Sequence, residues 1–199
     1  MAENRNPDIY RFPVLTLLLV TGSLLIFLLP GVSDYFLYKR DQILTGELWR
    51  LVTGAGVHFS WSHLGYNIAI MLIAGWLLER ENRANFVWLV LTTSIISGLY
   101  FLLFCPEMKV YGGLSAVVSA VVVYLCLVNI IKIPEAKWLW ITILIMFTAK
   151  VIYEGVMQQT FFVSYSSLNI RVVPSAHIVG AIVAITMVIK IFIEQKIKK

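Results

Sequence analysis

The sequence predicts an all-α membrane protein built as a bundle of six transmembrane helices. Of its 199 residues, 59% are hydrophobic and 14% are charged, whereas a typical soluble domain carries roughly 25% charged residues. The apolar residues also stand in long blocks, which a soluble core does not need. A helix that crosses a bilayer needs roughly 20 mostly apolar residues, and the blocks approach this length. No repeat or low-complexity tract divides the chain, so we interpret residues 1–199 as a single membrane domain.

Six apolar blocks are interpreted as the spanning helices. The first is followed by Pro30 and a polar loop and lacks the small-residue motif of a cleaved signal peptide, so we expect it to remain in the protein. The second and the fifth are short, and Lys150 near the end of the fifth is expected to extend outward to the membrane surface. The predicted spans are Phe12–Leu29, His63–Leu78, Phe86–Phe104, Leu114–Ile131, Trp138–Val151 and Pro174–Ile193.

The segment between the first two spans is too rich in aromatic side chains to be an ordinary linker. Aromatic rings with a polar edge are favoured at the boundary between lipid and water, so we expect this segment to lie at the interface. The rings are Tyr35, Phe36, Tyr38, Trp49 and Trp61.

The positive charges predict the orientation of the helices. Ten of the sixteen lysines and arginines fall in the amino-terminal segment, in the 79–85 and 132–137 loops and in the carboxy-terminal tail. Because loops rich in lysine and arginine stay in the cytoplasm, both termini are expected there. The second, fourth and sixth spans then begin at the outer face.

Composition also excludes several classes of function. The net charge is +5, but the basic residues are scattered among loops, which favours membrane anchoring over nucleic-acid binding. Cys105 and Cys126 are far apart in sequence, and the three histidines form no cluster with them. We therefore expect no disulfide framework, no metal site and no cofactor.

Four polar residues are expected at one depth below the outer surface. His63 and Asn67 open the second span and, being four residues apart, share one helical face. Ser115 opens the fourth span and His177 opens the sixth. Polar side chains inside a bilayer are costly and therefore mark functional sites. Serine with histidine is also a minimal pair of nucleophile and base.

Small residues favour close contact between the fourth and sixth spans, which would bring Ser115 to His177. Small side chains let membrane helices approach each other. The preceding Gly112-Gly113 allows a sharp turn and leaves amides exposed at the helix start, where developing negative charge is favoured. The small residues are Ala116, Ser119 and Ala120 on the fourth span and Gly180, Ala181 and Ala184 on the sixth.

Each of these polar residues also has a purely structural interpretation. A serine such as Ser115 in a membrane helix usually bonds to its own backbone or to a neighbouring helix. His177 can be a packing residue, and His63 with Asn67 can cap a helix. His58 is interpreted as a structural residue of the preceding loop. The convergence of four polar positions on three helices favours a functional site.

Four motifs, in order along the chain, resemble those of the rhomboid family of intramembrane serine proteases. They are similar to W-R at Trp49-Arg50, H-x-x-x-N at His63 and Asn67, G-x-S-G at residues 113–116 and A-H-x-x-G at residues 176–180. The likeness covers nearly the whole chain in the compact six-span form of bacterial members. It therefore implies a rhomboid-like bundle in a bacterial inner membrane.

The resemblance further implies a catalytic Ser–His dyad. Ser115 would attack the scissile carbonyl of a transmembrane protein substrate while His177 takes its proton, and water would hydrolyse the acyl-enzyme. His63, Asn67 and the Ser115 amide would donate hydrogen bonds to the oxyanion. The implied partners are transmembrane substrates and the lipid bilayer.

Two positions depart from the family's pattern. Ala116 stands where a glycine usually follows the nucleophile. Ser119 stands where many relatives have a tyrosine against which the histidine ring packs. Neither change removes a catalytic atom, so we expect an active enzyme with an altered pocket. The polar and aromatic segment Tyr153–Val173 is expected to act as a movable cap over the outer mouth.

Two other classes stay open. One is a catalytically inactive rhomboid-like protein that binds membrane clients, against which the retained serine, histidine and oxyanion donors count. The other is a small transporter or scaffold, which should show an internal repeat and paired ionisable groups, and we see neither in the sequence. Within the enzyme class, the short chain also resembles the rhombosortase branch, which trims carboxy-terminal membrane tails.

Overall fold

Helices form most of residues 12–157 and 173–197, the part of the chain that the computed structural model describes. Two short antiparallel strands join them. The α-helices are α1 (Val14–Leu28), α2 (Val32–Phe36), α3 (Arg40–Leu44), α4 (Arg50–Thr53), α5 (Trp61–Ile70), α6 (Trp76–Glu81), α7 (Arg83–Phe104), α8 (Ser115–Lys132), α9 (Lys137–Met157) and α10 (Pro174–Ile197). The strands are β1 (Tyr38–Lys39) and β2 (Val110–Tyr111), and 3-10 turns cover Gly54–Gly56 and Pro134–Ala136.

Five helical stretches in the described residues are long and apolar enough to cross a membrane, one fewer than the sequence predicted. They are Trp61–Glu81, Arg83–Phe104, Ser115–Lys132, Pro134–Met157 and Pro174–Glu194. The remaining predicted span, Phe12–Leu29, forms the 15-residue helix α1, about 22 Å long. It is short because Pro13 precedes it and Pro30 follows it, and a residue before proline, here Leu29, prefers an extended backbone.

The second span is longer than the predicted His63–Leu78. It begins where Ser60 caps α5, accepting a hydrogen bond from the His63 amide at 3.2 Å, and it runs through a π-helical turn at Met71–Gly75 into α6. It continues past Leu78 because the next residue, Glu79, is buried among hydrogen-bond donors. The Glu79 carboxylate accepts from the Leu15 amide at 3.0 Å and from the Thr16 amide at 2.7 Å.

The fifth span is also longer than the predicted Trp138–Val151, because α9 continues to Met157. Lys150 and Glu154 lie one helical turn apart on it, with 2.8 Å between Lys150 Nζ and Glu154 Oε2. Pairing the two charges lets the helix extend beyond its apolar stretch. The predicted cap, Tyr153–Val173, therefore begins as helix, and its residues 158–172 lie outside the described part of the chain.

The segment between α1 and α5 is a folded structure rather than a linker, and its strand makes the chain not purely α-helical. In the antiparallel β1–β2 pair, Tyr38 lies opposite Tyr111. The buried Arg50 guanidinium donates to the Asp34 and Leu37 carbonyls at 2.9 and 2.8 Å. Its location at a membrane interface stays a prediction.

Helix α8 lies at the centre of the bundle and packs closely against α10, as the small residues predicted. A Cβ added at Gly180 would collide with the Ala116 carbonyl oxygen and would lie 3.1 Å from the Ala120 amide nitrogen. Only glycine therefore permits this contact. About two-thirds of the 18 residues of α8 are buried inside the bundle, against 6% of the most apolar 18-residue stretch of Pro134–Met157. Ser115, the first residue of α8, and His177, in the first turn of α10, therefore both lie next to the contact between Gly180 and Ala116.

Candidate active site

Two glycines place Ser115 at the first position of α8. Gly113 has a φ angle of 137°, a conformation that side chains rarely adopt. A Cβ there would lie 2.6 Å from Cε1 of His63, and a Cβ at Gly112 would lie 3.0 Å from the Val57 carbonyl oxygen. The glycine pair is thus required both by the turn and by the close approach of the His63 ring.

Ser115 Oγ lies 3.2 Å from the Tyr111 hydroxyl. The Tyr111 hydroxyl also donates to the Gly113 carbonyl at 3.4 Å, so it is placed to accept from the serine. Burial raises the pKa of Tyr111 to about 12, which keeps the phenol neutral. Sequence reasoning gave Tyr111 no role, although its place directly before the glycine pair was a usable signal.

His63 and Asn67 lie on the inner face of α5 next to the Ser115 turn, as predicted. Both side chains are buried. The His63 ring contacts Gly113, and Asn67 Nδ2 lies 3.1 Å from His58 Nε2. The structure therefore places this pair beside the start of α8.

His58 connects Asn67 to the start of α8. Its Nδ1 lies 3.2 Å from the Gly56 carbonyl oxygen, so Nδ1 carries the hydrogen and Nε2 is the acceptor. Nε2 then accepts from Asn67 Nδ2 and, at 3.5 Å, from the Leu114 amide. Burial, and to a smaller extent the neighbouring His63, lowers the pKa of His58 to about 3. The neutral ring orients Asn67. His58 therefore has a more specific role than that of a structural loop residue, which the sequence predicted.

His177 faces two different helices with its two ring nitrogens. Nδ1 lies 2.8 Å from Ser119 Oγ on α8. Nε2 lies 3.0 Å from Lys150 Nζ and 3.2 Å from Glu154 Oε2 on α9. Ser119 Oγ in turn donates to the Ser115 carbonyl at 2.7 Å.

The structure brings Ser115 and His177 onto adjoining helices without a hydrogen bond between them among the described residues. Ser115 Oγ is bonded to Tyr111, and the histidine is bonded to Ser119, one turn further along α8. The side-chain contact of His177 on α8 is therefore made with Ser119, and the common depth of the four residues below the outer surface stays a prediction. The position that departs from the family's tyrosine is the one that contacts the histidine.

The prediction that Lys150 extends outward from the fifth span is wrong. Its side chain is 12% exposed and points toward Glu154 and His177. The reason is electrostatic: a buried carboxylate and an imidazole satisfy the ammonium group better than a long reach to the surface does. Lys150 and Glu154 also form a pair of ionisable groups within a span, so the prediction that the spans lack such pairs is wrong.

Comparison with known proteins assigns the family. The model of the "Rhomboid domain" family matches residues 45–194 of the chain. The chain is similar to "Rhomboid-like protein 11, chloroplastic" of Arabidopsis thaliana, with 24% identity over 201 residues that cover 94% of this chain and 68% of the relative. The matched residues contain the Ser115 turn and both histidine-bearing helices. The chain is therefore an integral membrane protein that belongs to the rhomboid family.

Proposed function

We propose that the chain is an intramembrane serine endopeptidase that cleaves transmembrane segments of membrane proteins. The observation that carries this proposal is the convergence of α5, α8 and α10 on one end of the bundle. There Ser115 opens α8 beside His63, and His177 lies on the facing turn of α10. Membership of the rhomboid family supports the same chemistry.

In the proposed mechanism, Ser115 is the nucleophile and His177 the general base. Ser115 Oγ exchanges its bond to Tyr111 for one to His177, whose Nδ1 already faces α8. The serine then attacks the scissile carbonyl, and the imidazolium returns the proton to the leaving amine. Water hydrolyses the resulting ester between Ser115 and the acyl group.

His63, Asn67 and the Ser115 amide are the proposed oxyanion donors. Asn67 Nδ2 carries two hydrogens, of which His58 accepts one. The other is available to the substrate oxygen. Donors held in place before the reaction stabilise the charge that develops on that oxygen without further reorganisation.

We further propose that both termini lie in the cytoplasm of a bacterial cell, with the protein in the inner membrane. The distribution of lysine and arginine supports this orientation. It places the start of α8 and the start of α10 at the outer side, from which water enters. Substrates then reach the site from the bilayer, and nucleic acid is not a partner.

The second candidate is a catalytically inactive rhomboid-like protein that binds membrane clients. One observation favours it: the described residues contain no hydrogen bond between Ser115 and His177, because Tyr111 and Ser119 are their partners. An inactive protein has no need of the direct bond.

A serine-directed fluorophosphonate distinguishes the two candidates. We expect the purified full chain to be labelled at Ser115 and the Ser115→Ala variant to stay unlabelled. Mass spectrometry of the membrane proteome, with and without Ser115, then identifies the cleaved proteins. Absence of labelling of the wild-type chain would establish the inactive alternative.

A further inference from the structure

Glu154 is a buried acidic residue on a membrane-spanning helix whose other side chains are mostly apolar and exposed. Among residues 137–157 it is the only buried one, although the rest of α9 is largely apolar and exposed. Its residue exposure is 2%. A charge within a membrane span is costly and is retained where it has a partner and a task.

The partnership with Lys150 does not by itself explain this position. Within a helix, a pair in which the carboxylate precedes the ammonium by four residues is the better orientation, and here Lys150 comes first. A pair formed only for helix stability would also gain little from being buried. The structure adds a third group, because the same Glu154 Oε2 that meets Lys150 at 2.8 Å lies 3.2 Å from His177 Nε2.

The hydrogen-bond partners of the two ring nitrogens of His177 distinguish its two tautomers. If Nε2 carries the hydrogen, it donates to Glu154, and Nδ1 presents a lone pair to the α8 face that carries both serines. Ser119 Oγ then turns its single hydrogen from the Ser115 carbonyl to Nδ1. If Nε2 is bare, it accepts from Lys150 at 3.0 Å, and Nδ1 carries a hydrogen toward α8. Only the first tautomer can take a proton from a serine of α8. The carboxylate therefore favours the base, and the ammonium favours the inactive form.

We propose that Glu154 is a positioning residue for the reaction. It accepts the Nε2–H of His177 and so fixes the tautomer in which Nδ1 is unprotonated and faces α8. It also stabilises the imidazolium that forms during the reaction. Lys150 holds the carboxylate in place. The inference rests on the proposed function, and it replaces a dyad held by ring packing with three groups held by hydrogen bonds.

The step balances as an ordinary acyl transfer. The Oγ–H bond of Ser115 breaks as its oxygen bonds the scissile carbonyl carbon, and Nδ1 of His177 gains the proton. The Nε2–H stays on the ring and donates to Glu154, whose negative charge offsets the new positive charge. The Nδ1 proton then passes to the leaving amine.

The groups around His177 define what a pH experiment measures. Lys150 and Glu154 face it from α9, and Ser115 and Ser119 lie on α8. From α5, His63 interacts electrostatically with His177, and the Tyr66 ring lies 6.0 Å from Lys150 Nζ. Removing Glu154 or Lys150 therefore changes a charge at His177 and leaves the other titratable neighbours in place.

The test is the rate of labelling of the full chain by a rhodamine fluorophosphonate in detergent, between about pH 5 and pH 9. We expect Glu154→Gln to lower the maximal labelling rate about 10²-fold or more while probe affinity stays within about twofold. Its acid limb should move about one pH unit lower, because the charge that favours a protonated imidazole is gone. Lys150→Met should move the acid limb in the opposite direction. Glu154→Asp should restore part of the rate.

Glu79→Gln is the matched control. Glu79 is another buried carboxylate, 1% exposed, but its partners are α1 and Arg83. This change should lower the melting temperature and leave the acid limb unmoved. Because the shape of a pH profile reports only on folded molecules, partial unfolding of Glu154→Gln does not hide the result. If that variant does not fold at all, the charge-neutral Lys150→Met/Glu154→Gln double variant takes its place, with the same loss of rate expected.

The outcomes separate the two proposals. If wild type is labelled at Ser115 and Glu154→Gln, or the double variant in its place, keeps the wild-type rate and acid limb, the pair is structural and Glu154 has no positioning role. If wild type is not labelled, or Ser115→Ala is labelled equally well, the protease assignment itself fails and takes this inference with it. A loss of rate in Glu154→Gln of about 10²-fold at unchanged probe affinity, with partial recovery in Glu154→Asp and opposite shifts of the acid limb in the Glu154 and Lys150 variants, would establish it.

Discussion

The two ends of the bundle each hold a buried carboxylate, and the two are used differently. Glu79, 1% exposed, accepts from the backbone of α1 and pairs with Arg83 at 3.3 Å. Glu154, 2% exposed, meets Lys150 and the imidazole of His177. Backbone amides do not exchange their protons during a reaction, whereas an imidazole can. The Glu79 carboxylate thus joins helices, whereas the Glu154 carboxylate meets a side chain that can take up and release a proton, as the proposed function requires.

The largest expected effect is at the Ser115 end. Ser115→Ala and His177→Ala should each abolish cleavage of a transmembrane substrate, and the double variant should be little worse, because the two side chains act as one unit. Melting temperatures should change little. Cleavage by purified variants in proteoliposomes checks this, and wild-type cleavage by Ser115→Ala would remove the functional difference between the two ends.

The Glu79 end should show the reverse pattern. Glu79→Gln leaves the amides of Leu15 and Thr16 without their charged acceptor, at a cost of about 3 kcal/mol. The rate per folded molecule should stay near that of wild type. Thermal unfolding in detergent and labelling of the folded fraction measure the two quantities. A specific loss of rate would show that this end also takes part in catalysis.

Asn67→Ala and His63→Ala should lower turnover by roughly 10²-fold, since each removes one proposed oxyanion donor and leaves the proposed nucleophile intact. Stability should fall less than activity does. Steady-state cleavage alongside thermal unfolding separates these effects. Equal losses in both would instead mean that these residues, like Glu79, serve mainly to hold helices together.

His58 lies in the candidate site but is not one of the proposed catalytic groups, so its variant tests the stability of the Ser115 end by itself. Its pKa of about 3 when folded lies below the ordinary 6.5, so the unfolded chain binds the proton first. Its contribution to stability is complete above about pH 6.5 and falls as the pH drops toward 3. Between pH 7 and pH 5 the loss should be about 2 kcal/mol. The His58→Gln variant should lose less stability over this range in thermal unfolding at the two pH values, and equal acid sensitivity in both proteins would contradict the assignment.

The smallest expected effect comes from Ala116→Gly. The change restores the residue that usually follows the nucleophile in the family, and it removes one buried methyl group beside the α8–α10 contact. Cleavage should be equal or higher. A clear loss of rate at unchanged stability would show that the methyl group helps to set the Ser115 turn.

The sequence predicted the parts of the fold that local chemistry fixes. Apolar blocks place the helices, since a bilayer leaves the backbone few alternatives to internal hydrogen bonding. The glycine at 180 predicted the close α8–α10 approach. The ends of α6 and α9 were predicted too early, because each continues through a charged residue that has partners. Glu79 accepts hydrogen bonds from α1, and Glu154 pairs with Lys150 on its own helix and with His177 on α10. Residues 158–172, which include most of the predicted cap, lie outside the described part of the chain.

By itself, the sequence determined that this is a helical membrane protein with a rhomboid-like set of motifs at one end, because hydrophobic length and motif spacing are properties of the chain. Only the tertiary structure decided what surrounds His177. Lys150 and Glu154 lie more than 20 residues before it, and Ser119 lies on another helix. Hydropathy alone does not determine whether a charged side chain in a span extends to the surface or points into the bundle. The positions of the neighbouring helices determine the direction, because those helices supply the partner groups.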